Sequence, residues 1–410
     1  MLEQARWRVA ICVAVVVWTG FLLRLMIADV WDETNGMLYF SDPVHSYPEL
    51  VGFVLTKSIS FWRPLPTLLA ATVLHVLPDF NWSWRVLRGI NIALLLGAFA
   101  ILGAALTRWI GPLAPRDRFL LLSAALYSGS AVIVAGWYAN IFDASALFAV
   151  ACGLLLLAGE RPVAAGLVFG IGFFCKETAA LSLPFLVVLF AARRVSLRNA
   201  VRAGVPTLVL GLCYFWLRGR LIPLGGPTDT HRFALNELLP TLVHIIEGFW
   251  LQTVKAGPWI PIGALITIAS LAALRKPPLI ASMTAFLAAT VFIYWGMVGI
   301  LQTDLIDPLN FVGRMFLLPC ALFLFLLALE RRTTTIALLL IPIGFGAVLT
   351  YRDHARFQRL YKHIYRDAPM AVYFPVKPLD DSVRGVHIGD IPDAPYQIDA
   401  RAARLIVRPN

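Results

Sequence analysis

The 410-residue chain is 59% hydrophobic and only 14% charged, with a mean hydropathy of +0.75, which excludes a water-soluble globule of average composition. Its formal net charge of +11 sits between apolar runs, where Lys and Arg set orientation, and few aromatics accompany the basic clusters there, which sets nucleic acid aside. Apolar runs near the roughly 20-residue spanning length recur along the chain, so the expected fold is an all-α polytopic membrane protein and not a β-barrel.

The first run, Trp7 to Ile27, follows Arg6 and Arg8 and contains Arg24. It is long for the core of a cleaved leader and reads as a retained signal anchor with a cytoplasmic N-terminus. It delivers Val30-Trp31-Asp32-Glu33-Thr34-Asn35 to the other side. Two adjacent carboxylates at a membrane edge are costly unless water or a partner accommodates them, so they are either a solvated helix end or part of a site. A first outer loop, 28–83, then carries Trp62-Arg63-Pro64-Leu65-Pro66 and an apolar run to Leu77. At about 14 residues that run is too short to span and reads as a juxtamembrane helix over 62–78.

With that helix on the outer surface, the next span, Trp84 to Leu106, runs inward and the basic turns fall on one side: Arg108, Arg116 and Arg118, Arg161, the cluster Arg193, Arg194, Arg198 and Arg202, Arg275 with Lys276, and Arg331 with Arg332. The later spans are Phe119 to Trp137, Ala144 to Ala158, Val163 to Phe174, Ala179 to Ala192, Val201 to Leu217, Trp259 to Leu274, Leu279 to Val298, Phe311 to Leu329 and Thr335 to Leu349. This makes about 11 transmembrane helices in a domain over 1–350. A second long outer loop, 218–258, contains helically spaced apolar residues between Phe233 and Trp250, and 351–410 form a small extracytoplasmic tail. The five cysteines lie in or beside apolar runs and define no disulfide framework.

This topology gathers Asp32, Glu33, Arg63, Arg85, Arg88, Asp143, Lys176, Glu177, Asp304, Asp307 and Arg314 near helix ends on the outer face. A lipid-borne phosphate substrate needs such a set, with cations to hold the anion and a carboxylate to take a proton. Each residue also has a simpler explanation. Arg63 beside Trp62 can anchor an interfacial helix, Arg85 and Arg88 can reach headgroups, and Asp143 can cap a helix. Lys176 and Glu177 interrupt two otherwise apolar segments, and Arg314 lies inside another, placements that call for partners. His45, His75, His231 and His244 have no paired spacing, so no metal site is assigned.

The order of these motifs resembles the GT-C class of integral-membrane glycosyltransferases, which use polyprenyl-phosphate sugars. Within that class the chain most resembles the protein O-mannosyltransferases, the lipid A aminoarabinose transferases and the mannosyltransferases that carry tetratricopeptide repeats. Asp32-Glu33 resembles the first-loop acidic motif, Trp62-Arg63-Pro64-Leu65 the opening of the juxtamembrane helix, and Trp84-Arg85-Val86-Leu87-Arg88 the basic start of the second span. Asp143 is similar to the second-loop Asp, and Cys175-Lys176-Glu177-Thr178 resembles the Lys-Glu turn. Gly313-Arg314-Met315 departs from the family's Arg-Tyr, and the tail has no tetratricopeptide pattern. The resemblance covers the first 200 residues or so and the remainder by topology alone.

The resemblance implies sugar transfer from a polyprenyl-phosphate donor to a glycan, lipid or protein acceptor, on the extracytoplasmic side of a membrane such as the bacterial inner membrane. Asp32 would act as general base with Glu33 orienting it, and Arg63, Arg85, Arg88, Lys176 and Arg314 would hold the donor phosphate. Asp143 and Glu177 would support them, with Glu177 restraining Lys176. A divalent cation, Mg or Mn, between Asp32 and the phosphate is compatible with this chemistry but not required. Two other readings use the same charges: a transporter or flippase of lipid-linked sugars, which calls for inverted repeats not visible here, and an inactive scaffold.

Overall fold

The structure, a computed structural model, describes residues 2–24, 46–56, 62–77, 80–128, 131, 134–135, 141–221, 271–272, 274–296, 317–332, 336–337, 396–399 and 404–407. The regular elements among them are helices apart from one strand pair near the C-terminus. Asp32, Glu33, Asp304, Asp307, Arg314, the amphipathic stretch Phe233 to Trp250 and most of the expected spans over 259–274 and 335–349 lie outside the described residues.

Helix α1 covers Leu2–Arg24, α2 Tyr47–Thr56 and α3 Pro64–Val76. Proline at the first turn starts α3, where a missing N–H is no loss and φ is already helical. The juxtamembrane helix expected from the sequence therefore forms over nearly its expected range, whereas α2 falls in a stretch the sequence reading left without an element. The two helices pack together, and Tyr47 Oη and Thr72 Oγ1 form a 3.0 Å hydrogen bond.

Helix α4, Phe80–Ile110, is followed by α5, Pro115–Leu126, α6, Phe142–Ala158, and α7, Pro162–Phe173. A 3-10 turn over Glu177–Leu181 leads into α8, Ser182–Ala191, and then α9, Leu197–Leu221. Helix α10, Pro277–Gly296, and α11, Leu317–Leu329, complete the described bundle, and β1, Tyr396–Asp399, pairs antiparallel with β2, Arg404–Val407. Helix α5 ends at Leu126, short of the expected span to Trp137, and a turn follows at Tyr127 and Ser128.

Val86–Ile110, with 25 residues, and Leu197–Arg220, with 24, are long and apolar enough to cross a membrane. Other apolar helices, among them Phe142–Ala158 and Leu317–Leu329, are shorter, and the described residues do not by themselves make eleven full crossings. Two apolar stripes face outward: Val9, Val13, Val16 and Val17 on α1, and Val201, Val205, Leu208, Leu212 and Phe215 on α9. Spacing of three and four places each set on one helical face, the arrangement of a helix that meets an apolar medium or partner.

Among the described residues, an apolar core joins α1 with α4 through α11. Helices α4, α6, α7 and α9 pack in that sequence, α8 packs on α10, α1 on α5, and α11 lies against α4, α5 and α6. The α7–α9 contact depends on small residues. A Cβ on Gly166 would fall 2.1 Å from the Ala203 carbonyl oxygen, and one on Gly170 would fall 2.5 Å from Leu210. These glycines, four apart, let two backbones approach, as in small-residue packing between membrane helices. Thr207 sits at the same crossing and donates its hydroxyl to the Ala203 and Gly166 carbonyls, at 2.8 and 3.0 Å.

One end of the bundle repeats a turn. Glu160, Arg193, Arg275 and Arg331 have φ of 58°, 57°, 54° and 55°, the left-handed region that usually favours glycine. Three of these positions close a 6→1 motif, with Arg161, Arg194 and Arg332 N–H donating to the carbonyls of Leu156, Leu189 and Leu327. The same end is cross-linked. Arg194 and Lys276 reach Glu330 at 3.7 and 3.0 Å, and Arg331 donates to the Ile110 carbonyl at 3.0 Å.

Candidate functional site

The opposite end holds a buried ionic cluster, built where four segments meet: the start of α3, the start of α6, the α7-to-3-10 turn and the end of α9. Apolar packing explains why the chain folds this way locally. Trp62 stacks on Tyr214, with centroids 5.6 Å apart, and packs edge-on to Phe174 at 5.9 Å. The Leu65 N–H donates to the Phe174 carbonyl at 3.3 Å, tying the first turn of α3 to the turn that carries Lys176. The 3-10 turn in its centre touches α6, α7, α8, α10 and α11.

Glu177 is 3% exposed and takes three partners. Arg63 reaches Oε2 at 3.2 Å, Arg218 reaches Oε1 at 3.2 Å, and the Tyr214 hydroxyl lies 2.9 Å from Oε1. The same hydroxyl is 2.8 Å from the Trp62 carbonyl. Burial alone would raise the carboxyl above its ordinary 4.5, but the Arg63 and Arg218 guanidiniums, backed by hydrogen bonds, bring it down to about 2. Lys176, fully buried, pairs with Asp143 at the start of α6. The Arg63 guanidinium lies 5.1 Å from the ring centre of Phe142, the residue before Asp143, so the two pairs interlock.

Among the described residues, three cations, Arg63, Lys176 and Arg218, thus face two carboxylates, Asp143 and Glu177. Arg218 is the most open member, its side chain 23% exposed. A cluster whose cations are held in place by carboxylates, with Arg218 at its open edge, is suited to holding an anion there.

Of the residues singled out from sequence, Arg63, Asp143, Lys176 and Glu177 are brought together. One pairing differs from expectation: Lys176 is restrained by Asp143, and Glu177 instead bridges Arg63 and Arg218. The reason is the 3-10 turn, which sends two consecutive side chains to different neighbours. Arg88 is 1% exposed on α4, which packs against α3, and Arg85 lies on the same helix. Asp32, Glu33 and Arg314 lie outside the described residues. Among the described residues no group of three His, Cys, Asp or Glu is close enough to hold a metal ion.

Two members of the cluster were not singled out from sequence. Arg218 carried a signal, being the first charge after the apolar run ending at Leu217, at the end of a span expected to emerge beside Lys176. Tyr214 carried none, since a tyrosine inside an apolar helix reads as ordinary packing.

No protein-family model matches the chain, and no curated protein or solved structure matches it either.

Proposed function

We propose that the protein is a multi-pass membrane glycosyltransferase of the GT-C kind, which takes a sugar from a polyprenyl-phosphate donor at the end of the bundle bearing the ionic cluster. The observation that carries this reading is the convergence of Arg63, Lys176 and Arg218, from three distant segments, on one largely buried site next to apolar helices. A lipid phosphate needs both features at once. The basic turns collected at the other end agree with an orientation that keeps that end in the cytoplasm.

In this reaction the acceptor oxygen or nitrogen attacks the anomeric carbon, the bond from that carbon to the phosphate oxygen breaks, and polyprenyl phosphate departs. The configuration inverts. Asp32 takes the acceptor proton, and Glu33 orients Asp32. The cations offset the charge on the leaving phosphate, so no separate general acid is needed. Asp143 and Glu177 hold Lys176, Arg63 and Arg218 in place before the donor arrives, which reduces the reorganisation needed at the moment of reaction. A divalent cation would add charge compensation at the phosphate; Asp32 and Glu33 are the residues to which it would bind.

The pairing of Arg63 and Lys176 with buried carboxylates also suits a clasp that only holds helices together, as in a transporter or scaffold. Sugar transfer separates the two. In membranes supplied with polyprenyl-phosphate sugar, Asp32→Asn should abolish transfer while expression and donor binding persist. Full transfer by that variant would remove Asp32 from the role of base.

A further inference from the structure

The ionic cluster leaves the opposite end of the bundle without a role beyond orientation, and a cavity opens there. It measures about 350 Å³ and lies between α1, α4, α5 and α11. Its walls are hydrocarbon: Ile11, Phe99, Leu102, Leu121, Leu122 and Phe325. The Thr107 hydroxyl, which also lines it, donates to the Gly103 carbonyl at 2.9 Å, so that polar group is already satisfied within its own helix. Among the described residues, the charged one on the wall is Arg118, exposed in the first turns of α5. Leu113, from the α4–α5 connection, places the mouth at the end where Arg331 caps α4 through the Ile110 carbonyl.

An apolar slot with a cation at its rim is matched by an amphiphile with an anionic head. A neutral chain would leave the cation unused, and a free anion would have nothing to do with the walls. The volume falls within the roughly 300–1,000 Å³ of small-molecule sites. Basic rims between membrane helices on the cytoplasmic side suit anionic headgroups, while the tail follows the apolar wall. Gly103 shapes the slot: a Cβ there meets nothing within 4 Å, so the wall is open at that position.

We infer that this cavity is a site for one acyl chain of an anionic phospholipid, with its phosphate held by Arg118. This rests on the membrane reading of the chain and is independent of sugar transfer. The lipid would wedge α1 and α5 against α4 and α11 at the end remote from the ionic cluster, as a structural ligand and not a substrate.

The test uses the full chain in mixed micelles containing phosphatidylglycerol or phosphatidylcholine, with native mass spectrometry to count retained lipid and thermal unfolding to follow the fold. The wild-type chain should retain phosphatidylglycerol in preference to phosphatidylcholine. Arg118→Ala should cut that preference about fivefold, the worth of one basic residue near an anionic headgroup. Gly103→Leu should fill the slot and remove retention of both lipids without lowering the unfolding temperature, because its Cβ meets open space and leucine favours helix over glycine. Equal retention of the two lipids by the wild type, or wild-type retention by Gly103→Leu, overturns the site. A lowered unfolding temperature with unchanged lipid retention in Gly103→Leu also overturns it, since the slot would then belong to a segment of the protein. Because no arm measures sugar transfer, failure here leaves the enzymatic reading untouched.

Discussion

Glu177 keeps its charge inside the protein because two guanidiniums and a phenol surround it. With the folded carboxyl at about 2 and the ordinary value at 4.5, its contribution to stability is complete above about 4.5 and is lost as pH falls towards 2. Unfolding of the detergent-solubilised chain should therefore gain an acid-labile component in that window, and Glu177→Gln should flatten it. An identical acid profile in the variant would assign the lability to other groups. Lys176 and Asp143 allow a sharper separation of structure from function. Removing one partner of a buried ion pair costs about 3–5 kcal/mol, whereas Lys176→Met with Asp143→Leu removes both charges together at lower cost. The double variant should unfold near the wild-type temperature yet show a raised requirement for donor lipid. Wild-type donor dependence in a folded double variant would make the pair a clasp alone.

Among the elements, α9 matters most to the site, since it brings Tyr214 and Arg218 to Glu177. Its position rests on Gly166, where any side chain meets the Ala203 backbone. Gly166→Leu should push α7 and α9 apart and cost about 1–3 kcal/mol or more, read as a lower unfolding temperature, and it should loosen the Glu177 cluster at the same time. An unchanged unfolding temperature would show that the crossing tolerates separation. The helices themselves were largely legible, because each follows an apolar run bounded by Pro, Gly or basic residues; α3, α4, α6, α7 and α9 begin and end within a few residues of expectation. The left-handed turns at Arg193, Arg275 and Arg331 were not legible, because arginine gives no sign of that conformation. Charge marked where those turns lie, but glycine would have been needed to mark their shape. Helix α2 also escaped, its short apolar run, Leu50 to Leu55, being hidden in an aromatic and polar stretch.

At the scale of the molecule the described bundle has two unlike ends. One is held by basic turns and Glu330, and the other by the cluster around Glu177. Sequence reading found this division by following the basic residues from turn to turn, since the placement of Lys and Arg is a property of position along the chain. It also found Arg63, Asp143, Lys176 and Glu177, because charge that interrupts an apolar run draws notice wherever it occurs. It could not say who pairs with whom: Asp143 meeting Lys176 and Arg218 meeting Glu177 depend on a 3-10 turn and a glycine crossing. The proposed reaction breaks a bond in a lipid-linked sugar at this end. The most direct measurement supplies purified protein in vesicles with polyprenyl-phosphate sugar and an acceptor extract, and follows release of polyprenyl phosphate. Release should occur and should require both the acceptor and Asp32. Movement of intact donor across the vesicle membrane, with no polyprenyl phosphate released, would contradict it.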